Sequence, residues 1–362
     1  MNKRSSFWKM TGVLLTLATA VFYLLVCLLP WLGSGTTWFI AILGLAFPLL
    51  LALLLILLLF WAIRRSRWAL FCGLSLLLGW QQVSVLFPLN FKAASAYKPE
   101  ETIRVLSWNV SRWDERNKEK RGGQSYRKRM LDFIESAEAD VLCLQEYFEC
   151  RDPRYYEATI PALQARGFTY YHFYPSTELF EGKFQYGLAI FSKHPILAAK
   201  DFRNELRVHS EGLCYADIKY NDKVIRVFNA HLESPGFNQD DFQEPGRVKL
   251  KTSVFNKLKN SYRLRNLQAD LARQEFGSSP YPLIVCSDLG DIPNSYAYFR
   301  LRGGLRDAFL GKGRGLGRTY RFISPSLRID YIFAGKELEL VNYRCPETVY
   351  SDHFPLLADY KL

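Results

Sequence analysis

The first 99 residues contain no Asp and no Glu. They carry eight basic residues (Lys3, Arg4, Lys9, Arg64, Arg65, Arg67, Lys92 and Lys98), so most of the net charge of +12 is N-terminal. From Glu100 onward acid and base nearly balance, which weakens the usual inference from a basic chain to nucleic acid. The seven cysteines never fall in a CxxC spacing, which removes the thiolate zinc sites. No GxSxG elbow and no Gly-rich P-loop occurs, so neither a nucleophile elbow of that type nor a P-loop phosphate cradle competes for the assignment. Internal repeats and low-complexity tracts are absent too. Histidine is scarce, at five residues, so any grouping of histidines is informative.

What the N-terminal part does have is apolar length. Residues 1–92 hold three hydrophobic stretches, about 11–32, 38–62 and 68–89, each near the ~20 residues that cross a bilayer as a helix. A cleaved signal peptide accounts for the first alone. Three transmembrane spans are therefore expected. Lys3, Arg4, Lys9 and the "RRSR" of 64–67 put the N-terminus and the second loop in the cytoplasm, and everything after about residue 92 outside it, periplasmic in a bacterium. Trp31, Trp38, Trp61, Trp68 and Trp80 fall near the span ends, as interfacial anchors do.

Residues 93–101 read as a polar linker, and 102–362 as a soluble α/β domain. Segments of period two ("IRVLSWNV", "ADVLCLQE", "QYGLAIFS", "CYADIKY", "KVIRVFNAHL", "PLIVCSD", "RIDYIFAG") alternate with helical patterns at 125–138, 154–166 and about 250–276. Cys27 and Cys72 fall in the spans, and Cys143, Cys214 and Cys286 in apolar runs where Cys acts as a small core residue. A disulfide through Cys150 or Cys345 is left open.

The strands end alike. Asn109 follows "VLSW", Glu146 follows "VLCLQ", His231 follows "VFNA", and Asp288 follows "LIVCS". Asp330 opens "DYIF", and Asp352 and His353 precede "FPLL". Singly, each is an ordinary turn or cap residue. Together, carboxylates, an Asn and two imidazoles at strand edges suit hydrolysis of a phosphate ester. A hard cation such as Mg²⁺ takes carboxylate and carbonyl oxygens and offsets phosphate charge. Imidazoles donate to phosphoryl oxygens, and a further carboxylate takes a proton from the attacking water.

The order "SWNV", "LCLQE", "YGLAIFSKHPI", "NAHLES", "SDLGDIPNS", "RIDYIF", "SDHFPL" resembles the endonuclease/exonuclease/phosphatase superfamily over about 103–362. That superfamily includes DNase-I-like nucleases, abasic-site endonucleases, sphingomyelinases and inositol-phosphate phosphatases. The resemblance implies a four-layer α/β/β/α sandwich with helices on the outer faces of two packed sheets. It implies Glu146 as the principal Mg²⁺ ligand (Mn²⁺ the alternative), Asn109 beside it on metal and phosphate, and Asp352 as a second acidic position near the metal. His231 would contact the scissile phosphate, Asp288 would orient or deprotonate the attacking water, and His353 would stabilise the transition state with Asp330 on its other nitrogen. Tyr186 and Asn229 would line the cleft.

One position departs from the pattern. The family has Gly-Asp-Phe-Asn where this chain has Ser287, Asp288, Leu289 and Gly290, with Asp291, Pro293 and Ser295 keeping the register. The Asn amide of the family pattern contacts phosphate, so glycine here implies a slower enzyme unless water or Asn294 replaces it. The expected function is a membrane-anchored, divalent-metal-dependent phosphodiesterase on phospholipid, nucleic acid or a small phosphodiester. The bilayer is its expected partner, and no obligate protein partner is evident. The alternatives are a phosphomonoesterase, or a non-catalytic phosphate- or lipid-binding protein of the same fold. Basic stretches at 116–130 and 247–265 (Arg247, Lys249, Lys251, Lys257, Lys259, Arg263, Arg265) are either solvated faces or contacts for anionic lipid or nucleic acid.

Overall fold

The computed structural model describes residues 3–33, 37–88, 90, 94–202, 212–236, 242–244, 247–248, 252–322 and 326–362. Lys249 and Lys251 of the second basic stretch lie outside these residues. The N-terminal part forms helices α1 (Lys3–Cys27), α2 (Trp38–Gly44), α3 (Phe47–Ile63), α4 (Trp68–Leu78) and α5 (Trp80–Ser84). The rest runs β1 (Ile103–Asn109), α6 (Arg127–Ser136), β2 (Val141–Cys150), α7 (Thr159–Gln164), β3 (Tyr170–Leu179), β4 (Phe184–Ser192), β5 (Ile196–Phe202), β6 (Gly212–Tyr220) and β7 (Lys223–His231). There follow the hairpin β8 (Phe242–Glu244) and β9 (Arg247–Val248), then α8 (Thr252–Gly277), β10 (Leu283–Asp288), α9 (Tyr296–Arg302), β11 (Arg306–Asp307), α10 (Ala308–Lys312), β12 (Asp330–Ala334), β13 (Glu339–Arg344) and β14 (Leu356–Lys361).

Alternation along each central strand builds the layers. In β1, Ile103 and Val105 point into the core between the sheets, while Leu106 and Trp108 point outward toward α6. β7 and β10 do the same: Ile225, Val227, Ile284 and Cys286 enter the inter-sheet core, and Phe228, Ala230, Leu283 and Val285 pack outward with α8 and α9. A strand buried on both faces needs apolar residues at odd and even positions, which is why these segments read as continuous hydrophobic runs. The result is two six-stranded sheets, ordered β13-β14-β1-β2-β4-β3 and β11-β12-β10-β7-β6-β5, face to face with helices outside. This is the expected four-layer sandwich. None of the seven cysteines forms a disulfide, which closes the question of Cys150 and Cys345.

The N-terminal helices are less regular than three straight spans. The stretch Phe7–Trp31 is long and apolar enough to cross a membrane, and only 39% of its apolar window is buried, unlike a core helix. α2 and α3 together are long enough but bend by 63°. The expected third span is broken at Gly79 into α4 and α5, and α4 alone is only 11 residues. Gly79 permits the close approach of Tyr23, whose hydroxyl would collide with any Cβ at that position. The helices share an internal core (Tyr23, Phe47, Leu54, Trp61, Cys72) while Leu49, Ile56, Leu59, Ile63, Leu70, Leu74 and Leu77 face outward.

Candidate active site

Strand register alone assembles half of the site. On β10, Asp288 pairs with His231 of β7 on one side and Asp330 of β12 on the other, so three candidate residues form one cross-strand row. Two carboxylates side by side repel, and His353 relieves this. Its Nδ1 lies 3.0 Å from both oxygens of Asp330 and 3.7 Å from Asp288 Oδ2. The His353 loop is in turn fixed to β1. The His353 N–H donates to Ser351 Oγ (3.2 Å), Ser351 Oγ donates to the Asn109 carbonyl (2.7 Å), and Trp108 Nε1 donates to the His353 carbonyl (2.9 Å).

The other sheet contributes Asn109 and Glu146. Glu146 sits where the pairing of β2 with β4 slips between Leu144 and Tyr147, with φ of 47°. A bulge of this kind re-aims a side chain. Glu146 is thereby the half-exposed residue of a strand whose other nine are buried. Asn109 Nδ2 donates to Asp288 Oδ2 (2.8 Å) and faces Glu146 Oε1 (3.4 Å), bridging the sheets across the cleft. Immediately after β1, Ser111, Arg112, Trp113 and Asp114 all adopt positive φ between 45° and 61°. Such a run is costly for residues with a Cβ and persists where surrounding contacts fix it. Here buried Trp113 is tied to the Phe148 carbonyl (3.1 Å) and Asp114 accepts from Asn117 (2.8 Å). The turn leaves Arg112 with its guanidinium 4.6 Å over the Tyr186 ring and Nε 3.8 Å from Glu146 Oε2.

Burial opposes the charge on Asp288, but the His353 and His231 imidazoles, the Asn109 amide and the Gly290 N–H overcome it and hold the carboxyl below its ordinary range. Asp330 is pushed up to about 6, by burial first, with the neighbouring Asp288 adding to it against the pull of His353. His353 is raised well above 6.5 because Asp330 and Asp288 outweigh its burial. These directions favour the anion at Asp288 and the imidazolium at His353, with Asp330 the more readily protonated of the two carboxyls. The Tyr320 hydroxyl is raised by burial and then by Asp352, Asp288, Glu146 and Asp330 together. Four carboxylates thus act on this hydroxyl, whose ring lies edge-on to His353 with centroids 5.0 Å apart. An oxygen-rich, acidic setting of this kind fits a hard divalent cation. Asp288, Asp330 and His353 also bring ligand atoms within 4.8 Å of one another. We read that trio as a hydrogen-bonded ion cluster, because the His353 proton lies between it and Asp330. Glu146, facing Asn109, and Asp352 are the half-exposed carboxylates of the group.

The structure thus brings together Asn109, Glu146, His231, Asp288, Asp330, Asp352 and His353, and sets Tyr186 beside Glu146 through Arg112. Asn229 is different. Its amide donates to the Leu144 and Ala189 carbonyls (both 3.0 Å), its oxygen accepts from Gln145 Nε2 (2.7 Å), and it has no exposed surface. It pins one sheet to the other and does not line the cleft. Asn294 also corrects an expectation: buried, with its amide donating to Gln82 (2.9 Å), it cannot supply the amide that Gly290 lacks. Three residues do not stand out in the sequence. Arg112 follows a strand end, but only the left-handed turn aims it. Thr319 Oγ1 accepts from the N–H groups of Ile329 and Asp330 (2.9 and 3.1 Å) and braces the start of β12. Tyr320 follows it. The "RTY" shortly before "RIDYIF" is the available signal.

Residues 106–353 match the model of the Endonuclease/Exonuclease/phosphatase family, and residues 8–86 match one described as a domain of unknown function. Among solved structures, the chain is similar to an endonuclease/exonuclease/phosphatase from Beutenbergia cavernae (18% identity, covering 73% of this chain and 72% of that one, TM-score 0.51). It is similar to another from Bacteroides vulgatus (17% identity, 72% of this chain and 99% of that one, TM-score 0.51). A humanized D. rerio TDP2 is comparable (17% identity, 73% and 100%, TM-score 0.51). At these identities the likeness is one of fold. No curated protein matches the chain.

Proposed function

We propose that this chain, which belongs to the endonuclease/exonuclease/phosphatase family, is a divalent-metal-dependent phosphodiesterase held at a membrane by its N-terminal helices. Members of that family are hydrolases of phosphate esters. The observation that carries the reading is the convergence of His231, Asp288, Asp330 and His353 from one sheet edge and its loop on Asn109 and the half-exposed Glu146 of the other. Glu146, with Asn109 next to it, would hold the cation, and Asp352 stands nearby. The cation, when bound, offsets phosphate charge and polarises phosphorus toward attack. Asp288 accepts a proton as water attacks phosphorus and the ester P–O bond breaks. His231 and His353 donate to phosphoryl oxygens, and Asp330 keeps His353 charged and oriented. Tyr186 and Arg112 flank the approach to Glu146.

Gly290 tempers the rate without removing any of these groups. Loss of one preorganised donor costs about 10²–10³-fold in rate. Membrane placement is supported by helix geometry. Gly12 packs on Trp61 at the end that carries the basic 64–67 turn, whereas Cys27 and Gln82 meet at the other end, toward the sandwich. The basic end thus lies away from the sandwich, which supports the reading from the Lys and Arg distribution that the sandwich is outside the cytoplasm.

The test is hydrolysis by the purified full chain of bis(p-nitrophenyl) phosphate, p-nitrophenyl phosphate, plasmid DNA and phospholipid vesicles, each with Mg²⁺, Mn²⁺ or EDTA. Metal-dependent turnover of a diester is expected, and the preferred diester names the substrate class. Turnover of the monoester alone would replace the reading by a phosphomonoesterase. No turnover of any substrate would leave a phosphate-binding protein of the same fold. A periplasm-active reporter fused after residue 95 should be active, and a cytoplasmic signal there would overturn the topology.

A further inference from the structure

The N-terminal helices reach the two loops that carry the catalytic carboxylates. Gln82 of α5 is 1% exposed and is anchored by its own amide, which donates to the Cys27 carbonyl at the end of α1 (3.3 Å). Its side-chain oxygen and its carbonyl both accept from Asn294 Nδ2, at 2.9 and 3.2 Å. Asn294 lies in the turn that begins at Asp288, a turn tightened by the Gly290 N–H on Asp288 Oδ1 (3.0 Å). One helical turn further, the Val85 carbonyl accepts from Arg328 Nη2 (2.6 Å), a fully buried guanidinium also paired with Asp307 (2.7 Å). Arg328 precedes Asp330 by two residues. The Val85 side chain, wholly buried, packs in the same cluster as Leu289 and Tyr331, the neighbours of Asp288 and Asp330. The two loops are joined to each other by the Leu289 N–H on the Ile329 carbonyl (2.8 Å).

We infer that Gln82 is a positioning residue: through Asn294 it fixes the turn bearing Asp288, so that the N-terminal helices and the cleft form one catalytic unit. The inference rests on the phosphoesterase reading for its effect on rate, but not for its effect on the turn. A group that must orient an attacking water loses about 10²-fold for a displacement near 1 Å. A buried amide hydrogen bond anchored to a second helix is the kind of restraint that prevents such a shift. The linker 93–101 is therefore not the sole connection between the helices and the sandwich. Tyr262 Oη on the Ala41 carbonyl and Asn266 Nδ2 on the Gly33 carbonyl (both 3.3 Å) also join α8 to the helices, and Arg265, against the Tyr262 ring, pairs with Asp291 of the turn (2.6 Å). Asn90 Nδ2, which donates to the Leu310 and Gly313 carbonyls (3.0 and 3.2 Å) at the end of α10, provides the control.

The experiment uses the full chain in detergent with bis(p-nitrophenyl) phosphate and Mg²⁺. It compares Gln82→Met, Asn90→Ala and the double variant Gln82→Met/Asn294→Leu, in which no buried donor is left unpaired. Hydrogen–deuterium exchange across 283–296 is followed in parallel. The expected result is a kcat about 10- to 100-fold lower with KM within twofold in both Gln82 variants, together with faster exchange confined to 283–296. Asn90→Ala should lower the melting temperature while leaving kcat and that exchange alone. Unchanged exchange in the Gln82 variants would overturn the inference whatever the activity. Faster exchange with kcat unchanged would overturn the catalytic half of it. A wild type that hydrolyses nothing would fail the phosphoesterase reading, and the exchange result would still decide whether Gln82 holds the turn.

Discussion

Asp330 places both its oxygens 3.0 Å from Nδ1 of His353, a geometry that satisfies one proton with two equivalent acceptors. The consequence is electrostatic. A buried imidazole would ordinarily lose its proton, and here Asp330 and Asp288 keep it well above 6.5.

Asp330→Asn should therefore lower the His353 pKa, since the amide contributes no charge. At saturating Mg²⁺ the alkaline limb of the pH–rate profile should move to lower pH, and kcat at pH 8 should fall roughly 10²-fold or more. Stability carries the same sign. A raised histidine pKa contributes to folding below its unfolded value near 6.5 and loses that contribution as pH rises through the folded value. The wild type should thus lose more melting temperature than Asp330→Asn between neutral and alkaline pH. An alkaline limb that stays put would show that His353 is not the titrating acid.

Glu146→Ala tests the metal. Its carboxylate is re-aimed into the cleft by the β2 bulge, so truncation should remove Mg²⁺ binding measured by calorimetry, as well as turnover. The loss of rate should be about 10³-fold or larger, matching the wild type in EDTA. Unimpaired Mg²⁺ binding would move the ligand role elsewhere in the acidic group around Tyr320.

Gly290→Asn tests the departure from the family pattern. Gly290 has φ of 60°, and a Cβ there would meet its nearest neighbours, around Glu233 and Ser234, no closer than 3.6 Å. Asn is among the residues that best tolerate this region. The variant should fold with a loss of about 1 kcal/mol or less and gain roughly 10²-fold in kcat. No gain would mean that the present site does not lack that donor.

Much of this is legible in the chain. Central strands buried on both faces give long apolar runs, and the chemistry lies at their ends, so Asn109, Glu146, His231 and Asp288 stand out. β3, β5 and β13 do not, because each lies at the edge of its sheet, where one side is open and the pattern is diluted. β3 even contains Pro175 beside a register shift. The contacts of Gln82 and Val85 are not legible either, since they join residues more than 200 positions apart. Arg112 and Tyr320 depend on backbone turns that no periodicity encodes.

Asn229 is the converse case, a polar residue near a catalytic strand end that reads as cleft-lining and is not. Two residues further along β7, His231 faces the site, and period two places Asn229 on the same side of the strand. What separates them is depth. At Asn229 the second sheet closes over the side chain, and its three hydrogen bonds all go to β2 and β4. Asn229→Ala should leave buried carbonyls at Leu144 and Ala189 unpaired, costing about 3 kcal/mol. For a domain of this size that corresponds to a melting temperature lower by roughly 10 °C. Per folded molecule, kcat and KM should be unchanged. A cleft-lining role would give the reverse, a raised KM with little change in melting. Because both quantities come from one preparation, the variant separates a residue that builds the inter-sheet core from one that touches substrate.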